Sequence, residues 1–338
     1  MSGAGVPYRL RPHKAVDRRL FVDLLSRIER WWPLVDHVYL SMGAHSLEDH
    51  RLVHKNIGIK NLITFDADSE VVARQRFNAP TTSCYCHEGL SGEVIAKLDN
   101  VLTQYGMSAD SGLVVWLDYT APGQIGSQIR EFQHLLDKGK VGDVVRITVN
   151  ANPSSLGEFR DANDRPLPAN ELHQRRLGVL RSRIGEYLPA SCDAEKLTVE
   201  DFPIVLAQSF AAAALKAIPV SSSNVFSPLS LVRYSDGLQM LSITGCIMPK
   251  NQVQAVRSKL SLDAWPFSSS DWITIHHLVV PDLTLRERLF LERNINLAND
   301  KIISGLGFSK ADQVDVSDFI DNYRLYYRFY PMVLSAEI

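Results

Sequence analysis

Three short stretches of this chain carry side chains that could do chemistry, and each closes an apolar run. Ser41-Met42-Gly43-Ala44 follows Val38-Tyr39-Leu40, and a glycine in such a turn lets backbone approach a ligand closely. Asp66-Ala67-Asp68 follows Asn61-Leu62-Ile63-Thr64-Phe65. Carboxylates at that point can accept hydrogen bonds from ribose hydroxyls. Asp118-Tyr119 follows Gly112-Leu113-Val114-Val115-Trp116-Leu117, offering a proton acceptor and a ring that can orient or stack on a flat ligand. Plainer roles exist for each: a tight turn at Gly43, a helix cap at Asp66, a bonded strand-end carboxylate and a packed ring at Asp118 and Tyr119. Asp68 is the better helix cap of its pair.

The elements that must position these groups follow from hydrophobic spacing. Helical periodicity covers 13–30 and ends at Trp31-Trp32-Pro33. A strand over 38–43 is followed by a helix over 46–57, opened by Ser46 with Asp49 three positions on and stopped by Gly58. Strands over 61–65, 81–86, 112–117 and 143–149 alternate with helices over 70–77, 91–105 and 124–136. Strand–helix units in succession require right-handed crossovers and a parallel sheet, whose ligand edge lies at the carboxyl ends of the strands. Residues 154–220 are polar and helical, an insertion or lid, with a basic stretch over 171–186 and an alanine-rich one over 199–218. Two alternating strands then flank Ser235-Asp236-Gly237, a hairpin signal. The tail is mostly helical, with a capping box at Thr284-Leu285-Arg286-Glu287 opening a helix to about Leu297.

The expected layout is thus an α/β core over 1–153, a helical insertion over 154–222, a sheet-completing hairpin over 223–249 and a helical C-terminal extension over 250–338. Net charge is −2 with 22% charged residues, so no bulk basic field favours nucleic acid or an anionic membrane, although a local basic groove can hide in a neutral total. No apolar run reaches the ~20 residues that span a bilayer. Met1 to Pro7 lack the charged-then-apolar order of a signal peptide. Four scattered cysteines fit a reduced, cytoplasmic setting. Cys84 and Cys86 are read as facing opposite sides of a strand, and so as a poor disulfide pair.

This order of elements, five parallel strands finished by an antiparallel hairpin, resembles the class I S-adenosylmethionine-dependent methyltransferases over roughly residues 13–250. The resemblance implies a Rossmann-like sheet and S-adenosylmethionine as cofactor. It implies that Ser41, Met42, Gly43 and Ala44 hold the methionine part and that Asp66, with Ala67 and Asp68 beside it, holds the ribose. His87 or Glu88 would lie near the adenine, and Asp118 and Tyr119 would face both cofactor and substrate. Asp118 is then the expected base and Tyr119 the expected substrate-orienting residue. The loop Asp118 to Pro122, with Ile147-Thr148-Val149-Asn150, is also similar to that of tRNA guanine-N2 dimethyltransferases, a likeness that would make Lys14 and Arg18 a wall of the cofactor site. The first loop departs from the family pattern, with one glycine and no acidic residue before it. The Gly-x-Gly-x-x-Gly turn of nicotinamide and flavin proteins is absent.

The implied reaction is methyl transfer to an oxygen or nitrogen nucleophile of a small molecule or nucleic acid. The alternative is a degenerate methyltransferase fold serving as a binding or regulatory subunit, or a sensor for another nucleoside. His45, His50 and His54 read as a polar helix surface, with no third ligand to make a metal site. The aromatics from Tyr323 to Tyr330 read as packing or a subunit interface, and with Trp31-Trp32 they hint at a homo-oligomer or a protein partner. Arg175, Arg176, Arg181 and Arg183 are the best stripe for a phosphate-bearing substrate, with a solvated face the plainer role.

Overall fold

Strand β4 (Leu113–Asp118) is built of residues that bury on both faces, and so is β5 (Val144–Asn150). Such strands belong in the middle of a parallel sheet, and that is where the computed structural model, which describes residues 11–281, 283–307 and 316–330, places them. With β1 (Val38–Ser41), β2 (Asn61–Asp66), β3 (Cys84–Glu88), β6 (Asn224–Ser235), β7 (Gln239–Pro249) and the two-residue β8 (His276–His277), they form one sheet ordered β3-β2-β1-β4-β5-β7-β6-β8. The first five strands in the chain pair parallel, and β7 runs antiparallel to both β5 and β6. This is the Rossmann-like sheet expected from the sequence, parallel strands finished by an antiparallel hairpin.

The chain divides into two compact units, residues 21–276 and residues 1–20 with 277–338. In the larger unit one sheet face carries Val38, Leu40, Ile63, Phe65, Val115, Leu117, Ile147 and Val149. Helices α4 (Ser91–Ala96), α5 (Leu98–Gln104), α6 (Ile125–Lys138) and α8 (Phe202–Ala217) bury their apolar residues against it. Phe132 of α6 meets Phe210 of α8 and Phe226 of β6 edge-on at 5.3 and 5.4 Å.

The opposite face is polar and equally buried. Tyr39, Ser41, Thr64, Trp116, Arg146, Thr148, Ser242 and Thr244 are all at most 2% exposed. Trp116 Nε1 donates to Thr148 Oγ1 at 3.0 Å, which in turn lies 3.0 Å from Ser242 Oγ. Arg146 donates to Thr244 Oγ1 at 2.8 Å, with its guanidinium 4.6 Å from the Trp116 ring and 5.0 Å from that of Phe21. Helices α2 (Glu48–Ile57) and α3 (Ser69–Asn78) supply the polar partners near β1 and β2. A buried polar face is tolerable where its groups are bonded, as most of these are.

Several local expectations are corrected. The first strand ends at Ser41, because Gly43 and Ala44 take positive φ of 60° and 45°. Helix α2 begins at Glu48 behind Leu47, itself at φ 51°, and Ser46 provides no side-chain cap. The expected helix over 91–105 breaks at Lys97 into α4 and α5. Cys84 and Cys86 share one buried face, as the two-residue repeat of a strand demands. Both are free thiols. The hairpin strands fill the expected 223–249 segment, and their register shifts between Pro228 and Ser230. A bulge there suits a residue without an N–H.

The insertion holds α7 (Ala169–Ile184) and α8, whose element ranges lie in the larger unit with β6, β7 and α9 (Val253–Lys259). In the smaller unit, Thr284 and Glu287 form the expected capping box of α10 (Leu285–Arg293). Helices α11 (Asn299–Leu306) and α12 (Val316–Tyr326) follow. Tyr323, Tyr326 and Tyr330 are buried, and the Tyr330 hydroxyl donates to the Pro281 carbonyl at 2.8 Å. The aromatic cluster is therefore packing within this unit. Among the described residues no helix is long and apolar enough to cross a membrane, and the N-terminal Met1 to Pro7 lie outside them.

Candidate functional site

The carboxyl ends of β1, β2, β3 and β4 stand side by side, since Ser41 pairs with Thr64 and Trp116, and Asp66 pairs with Glu88. The expected site residues of the larger unit lie at or beside that edge, with the His87 and Tyr119 side chains turned to the apolar face.

The β1 turn is shaped by contacts from below and from the side. A Cβ on Gly43 would lie 2.5 Å from Thr64 Oγ1, 2.7 Å from Leu47 Cδ2 and 2.8 Å from His50 Cε1. Only glycine fits, both for its φ of 60° and for this space. Gln75 of α3 donates to the carbonyls of Met42 and Ala44 at 3.2 and 3.1 Å, and Asn78 donates to that of His45 at 2.9 Å. The Ala44 N–H closes back on the Met42 carbonyl at 2.7 Å. The turn's carbonyls are thus drawn to α3. Thr64 Oγ1 and Gln75 Oε1 are buried beside the turn with no hydrogen-bond partner among the described residues, and both residues are 0% exposed. Such orphaned acceptors are what a ligand completes.

Asp66 ends β2 half-buried, with Oδ1 accepting from the Asp68 N–H at 2.9 Å. Asp68 is the cap, accepting from the N–H groups of Glu70 and Val71. Ala67 between them is exposed. Glu88 is exposed at the tip of β3, and the next N–H, of Gly89, bonds the Asp66 carbonyl at 2.9 Å. His87 points to the apolar face instead, with Nδ1 3.2 Å from the Tyr105 hydroxyl; burial lowers its pKa.

Asp118 is half-buried at the end of β4. Tyr119 turns the other way. It is 6% exposed and belongs to the apolar core, and its hydroxyl donates to Glu131 of α6. Burial first, and the Glu131 carboxylate second, raise its pKa well above the ordinary tyrosine value. Its phenol is therefore committed to α6 and anchors the loop after β4. Lys14 and Arg18 lie on the first part of α1 (Pro12–Ile28), in the smaller unit, and are buried there.

The sequence reading missed the group that supports the β1 turn. Asp49 Oδ2 accepts from the Tyr39 hydroxyl and the Ser41 hydroxyl, each at 2.7 Å. Its Oδ1 lies 3.2 Å from His50 Nδ1, while His50 Nε2 lies 3.1 Å from the Ile63 carbonyl. Both ring nitrogens face acceptors, an arrangement that the doubly protonated imidazolium ring satisfies. Burial alone would lower the His50 pKa, but the Asp49 charge and hydrogen bond and the Ile63 carbonyl outweigh it, and the net shift is upward. His50 is not part of a polar surface: it is 0% exposed. The signal was in the helical repeat, which sets His50 in line with Val53 and Ile57.

Nearby, the Cys84 side-chain contact lowers the Cys86 thiol to about 7 against the opposing effect of burial, with help from His50 and Arg76. Among the described residues no cluster of three or more metal-ligating side chains exists. Three of the four α7 arginines are engaged within the protein: Arg176 and Arg183 donate to the carbonyls of Gly157 and Ser155, and Arg175 pairs with Glu171 at 2.9 Å, while Arg181 is exposed.

Residues 6–338 match the family described as "Putative O-methyltransferase". The chain belongs to that family. No curated protein matches the sequence. Among solved structures, it is similar to Trm1 from Pyrococcus horikoshii in complex with S-adenosyl-L-methionine, with 12% identity, a TM-score of 0.44, and 72% of this chain and 56% of that one covered. It is similar to the plantazolicin methyltransferase BamL in complex with a triazolic desmethyl analogue and SAH, with 10% identity, a TM-score of 0.40, and 71% and 88% covered. It is also similar to LepI in complex with SAM, with 11% identity, a TM-score of 0.36, and 66% and 46% covered. The chain spans about half the length of the LepI and Trm1 chains it matches.

Proposed function

We propose that this protein transfers the methyl group of S-adenosylmethionine to an oxygen or nitrogen nucleophile, oxygen being favoured by the family's description. The observation that carries the reading is the meeting of the Gly43 turn, Asp66 and Asp118 at the carboxyl edge of adjacent parallel strands. Doubly wound sheets bind their ligands there. The residues present fit the cofactor: a cradle that a Cβ would fill lies beside the buried, unpartnered oxygens of Thr64 and Gln75. The bound cofactor would supply an electrophilic methyl on a sulfonium.

The chain's own residues would do the rest. The turn from Ser41 to Ala44 would take the methionine part, with backbone rather than side chains at Gly43. Asp66 would accept hydrogen bonds from the ribose hydroxyls through Oδ2, which among the described residues has no partner, while the Asp68 N–H holds Oδ1 in place. Asp68 would act through that N–H and as the α3 cap, and Ala67 would leave the ribose side open. Glu88 is the better placed of the β3 pair for the adenine, since His87 is turned to Tyr105. Asp118 would accept the nucleophile's proton as the new bond to carbon forms and the bond to sulfur breaks. Tyr119, anchored on Glu131, would hold the Asp118 loop in line and orient substrate through that loop.

Isothermal titration with S-adenosylmethionine and S-adenosylhomocysteine tests this. Micromolar binding that weakens at least tenfold in Asp66→Ala is expected. Wild-type affinity in Asp66→Ala overturns the ribose assignment. No heat and no thermal shift with the wild-type protein would instead favour a binding or regulatory subunit on a methyltransferase fold.

A further inference from the structure

A continuous buried chain of polar groups runs from the Gly43 backbone through Ser41 to Asp49 and His50, and its two deeper members have no part in the assignments above. The Gly43 N–H lies 3.3 Å from Ser41 Oγ, the Ser41 hydroxyl donates to Asp49 Oδ2 at 2.7 Å, and Asp49 Oδ1 faces the His50 imidazolium. Ser41 is 1% exposed and His50 is 0% exposed. A serine hydroxyl has one proton. Here it is given to Asp49, so the oxygen's lone pairs are left to face the Gly43 N–H. The Ser41 side chain is thereby engaged inside the protein, and cannot donate to a ligand.

We propose that Asp49 is a positioning residue: acting through Ser41, it sets the direction of the Gly43 backbone that receives the cofactor. This rests on the cofactor reading above. The physical reason is charge. A hydrogen bond to an ionised carboxylate is short and strong, so it holds the Ser41 hydroxyl in one rotamer. Asp49 lies in the first turn of α2, where the helix dipole favours an anion, and the His50 cation beside it offsets the cost of burying it. The same imidazolium ring lies against the underside of Gly43, its Cε1 2.8 Å from where a Cβ would stand. Anion, cation and turn are therefore one assembly, and α2 carries the carboxylate that β1 itself does not.

Tyr39 provides an internal control. Its hydroxyl donates to the same Asp49 oxygen at the same 2.7 Å, whereas the oxygen facing the Gly43 N–H is that of Ser41. Tyr39→Phe and Ser41→Ala each remove one bond to Asp49, and only Ser41→Ala cuts the relay. Two measurements separate them. In the cofactor-free protein, amide exchange at Gly43 is expected to quicken about tenfold in Ser41→Ala and to stay within twofold in Tyr39→Phe. By titration, the Kd for S-adenosylhomocysteine is expected to rise about tenfold in Ser41→Ala and in Asp49→Asn, and to stay within threefold in Tyr39→Phe. Wild-type exchange in Ser41→Ala, or equal effects in Ser41→Ala and Tyr39→Phe, overturns the relay. If the wild-type protein binds no cofactor while the exchange difference is seen, the cofactor reading fails and the positioning of Gly43 stands. Should Asp49→Asn fail to fold, the Ser41 and Tyr39 variants decide alone.

Discussion

Replacing Gly43 by alanine adds one methyl group, and the structure gives the size of the penalty. At φ 60° an alanine sits in the left-handed region, which costs about 1–2 kcal/mol relative to glycine. The new Cβ would also lie 2.5 Å from Thr64 Oγ1, 2.7 Å from Leu47 Cδ2 and 2.8 Å from His50 Cε1. None of these can step aside freely: all three residues are 0% exposed, and His50 is tied to Asp49 and Ile63. Overpacking of this kind costs roughly 1–3 kcal/mol. The total is about 2–5 kcal/mol, and it falls on the protein with no cofactor present. Urea unfolding of Gly43→Ala with wild-type protein beside it measures it. Thr64→Ala removes the nearest obstructing atom, so the double variant should recover ~1 kcal/mol by a double-mutant cycle. A loss below about 1 kcal/mol in Gly43→Ala, with no coupling to Thr64, would show that the turn is loose and that its shape is not what selects glycine.

Further consequences follow from the same geometry. Asp118→Asn keeps the shape of the β4 tip but removes the proton acceptor, so turnover on an acceptor substrate should fall by about 10²–10⁴ while the Kd for S-adenosylhomocysteine stays within threefold; equal turnover removes Asp118 as the base. Asp143 is buried at the amino end of β5, and burial lifts its pKa to about 6 despite the Lys140 and Leu113 N–H groups bonded to it. A raised carboxylate stabilises the fold below its unfolded value and loses that contribution as pH rises through the folded one, here between 3.8 and about 6. The loss is ~3 kcal/mol at about 1.36 kcal/mol per unit. The stability of wild type relative to Asp143→Asn should therefore decline by that order between about pH 4 and pH 7, and a flat difference would refute the shift.

The sheet was legible in the sequence because its signals are local. Five apolar runs separated by helical repeats leave few topologies, and Ser235-Asp236-Gly237 marks the hairpin without reference to anything distant. The strand ends were legible too, which is why Gly43, Asp66, Glu88 and Asp118 all stand on one edge. Less legible was which way a side chain turns. Tyr119 and Asp118 are neighbours in sequence, yet one enters the apolar core and the other stays at the polar face, because alternate residues of a strand point to opposite sides. The same rule, applied the wrong way round, misplaced Cys84 and Cys86. The arginines of α7 looked like a basic stripe because only the fold reveals the carbonyls of Gly157 and Ser155 that two of them bond.

The first loop shows how far a motif can drift while its geometry survives. Read as a string, one glycine without an acidic residue before it suggests a failed cofactor loop. In space, the shape is imposed from outside the loop: α3 draws its carbonyls through Gln75 and Asn78, and α2 orients its glycine through Asp49 and Ser41. A second glycine in such a loop serves backbone freedom, and here Ala44 takes a φ of 45° with its N–H bonded to Met42 and its carbonyl bonded to Gln75. Non-glycine residues hold such angles only where their surroundings over-determine them. The strain at Ala44 and Leu47 is thus evidence that the turn is built to one shape before any ligand arrives. A vestigial loop, freed from the need to hold a ligand, would have no reason to keep two strained residues and a buried ion pair beneath one glycine.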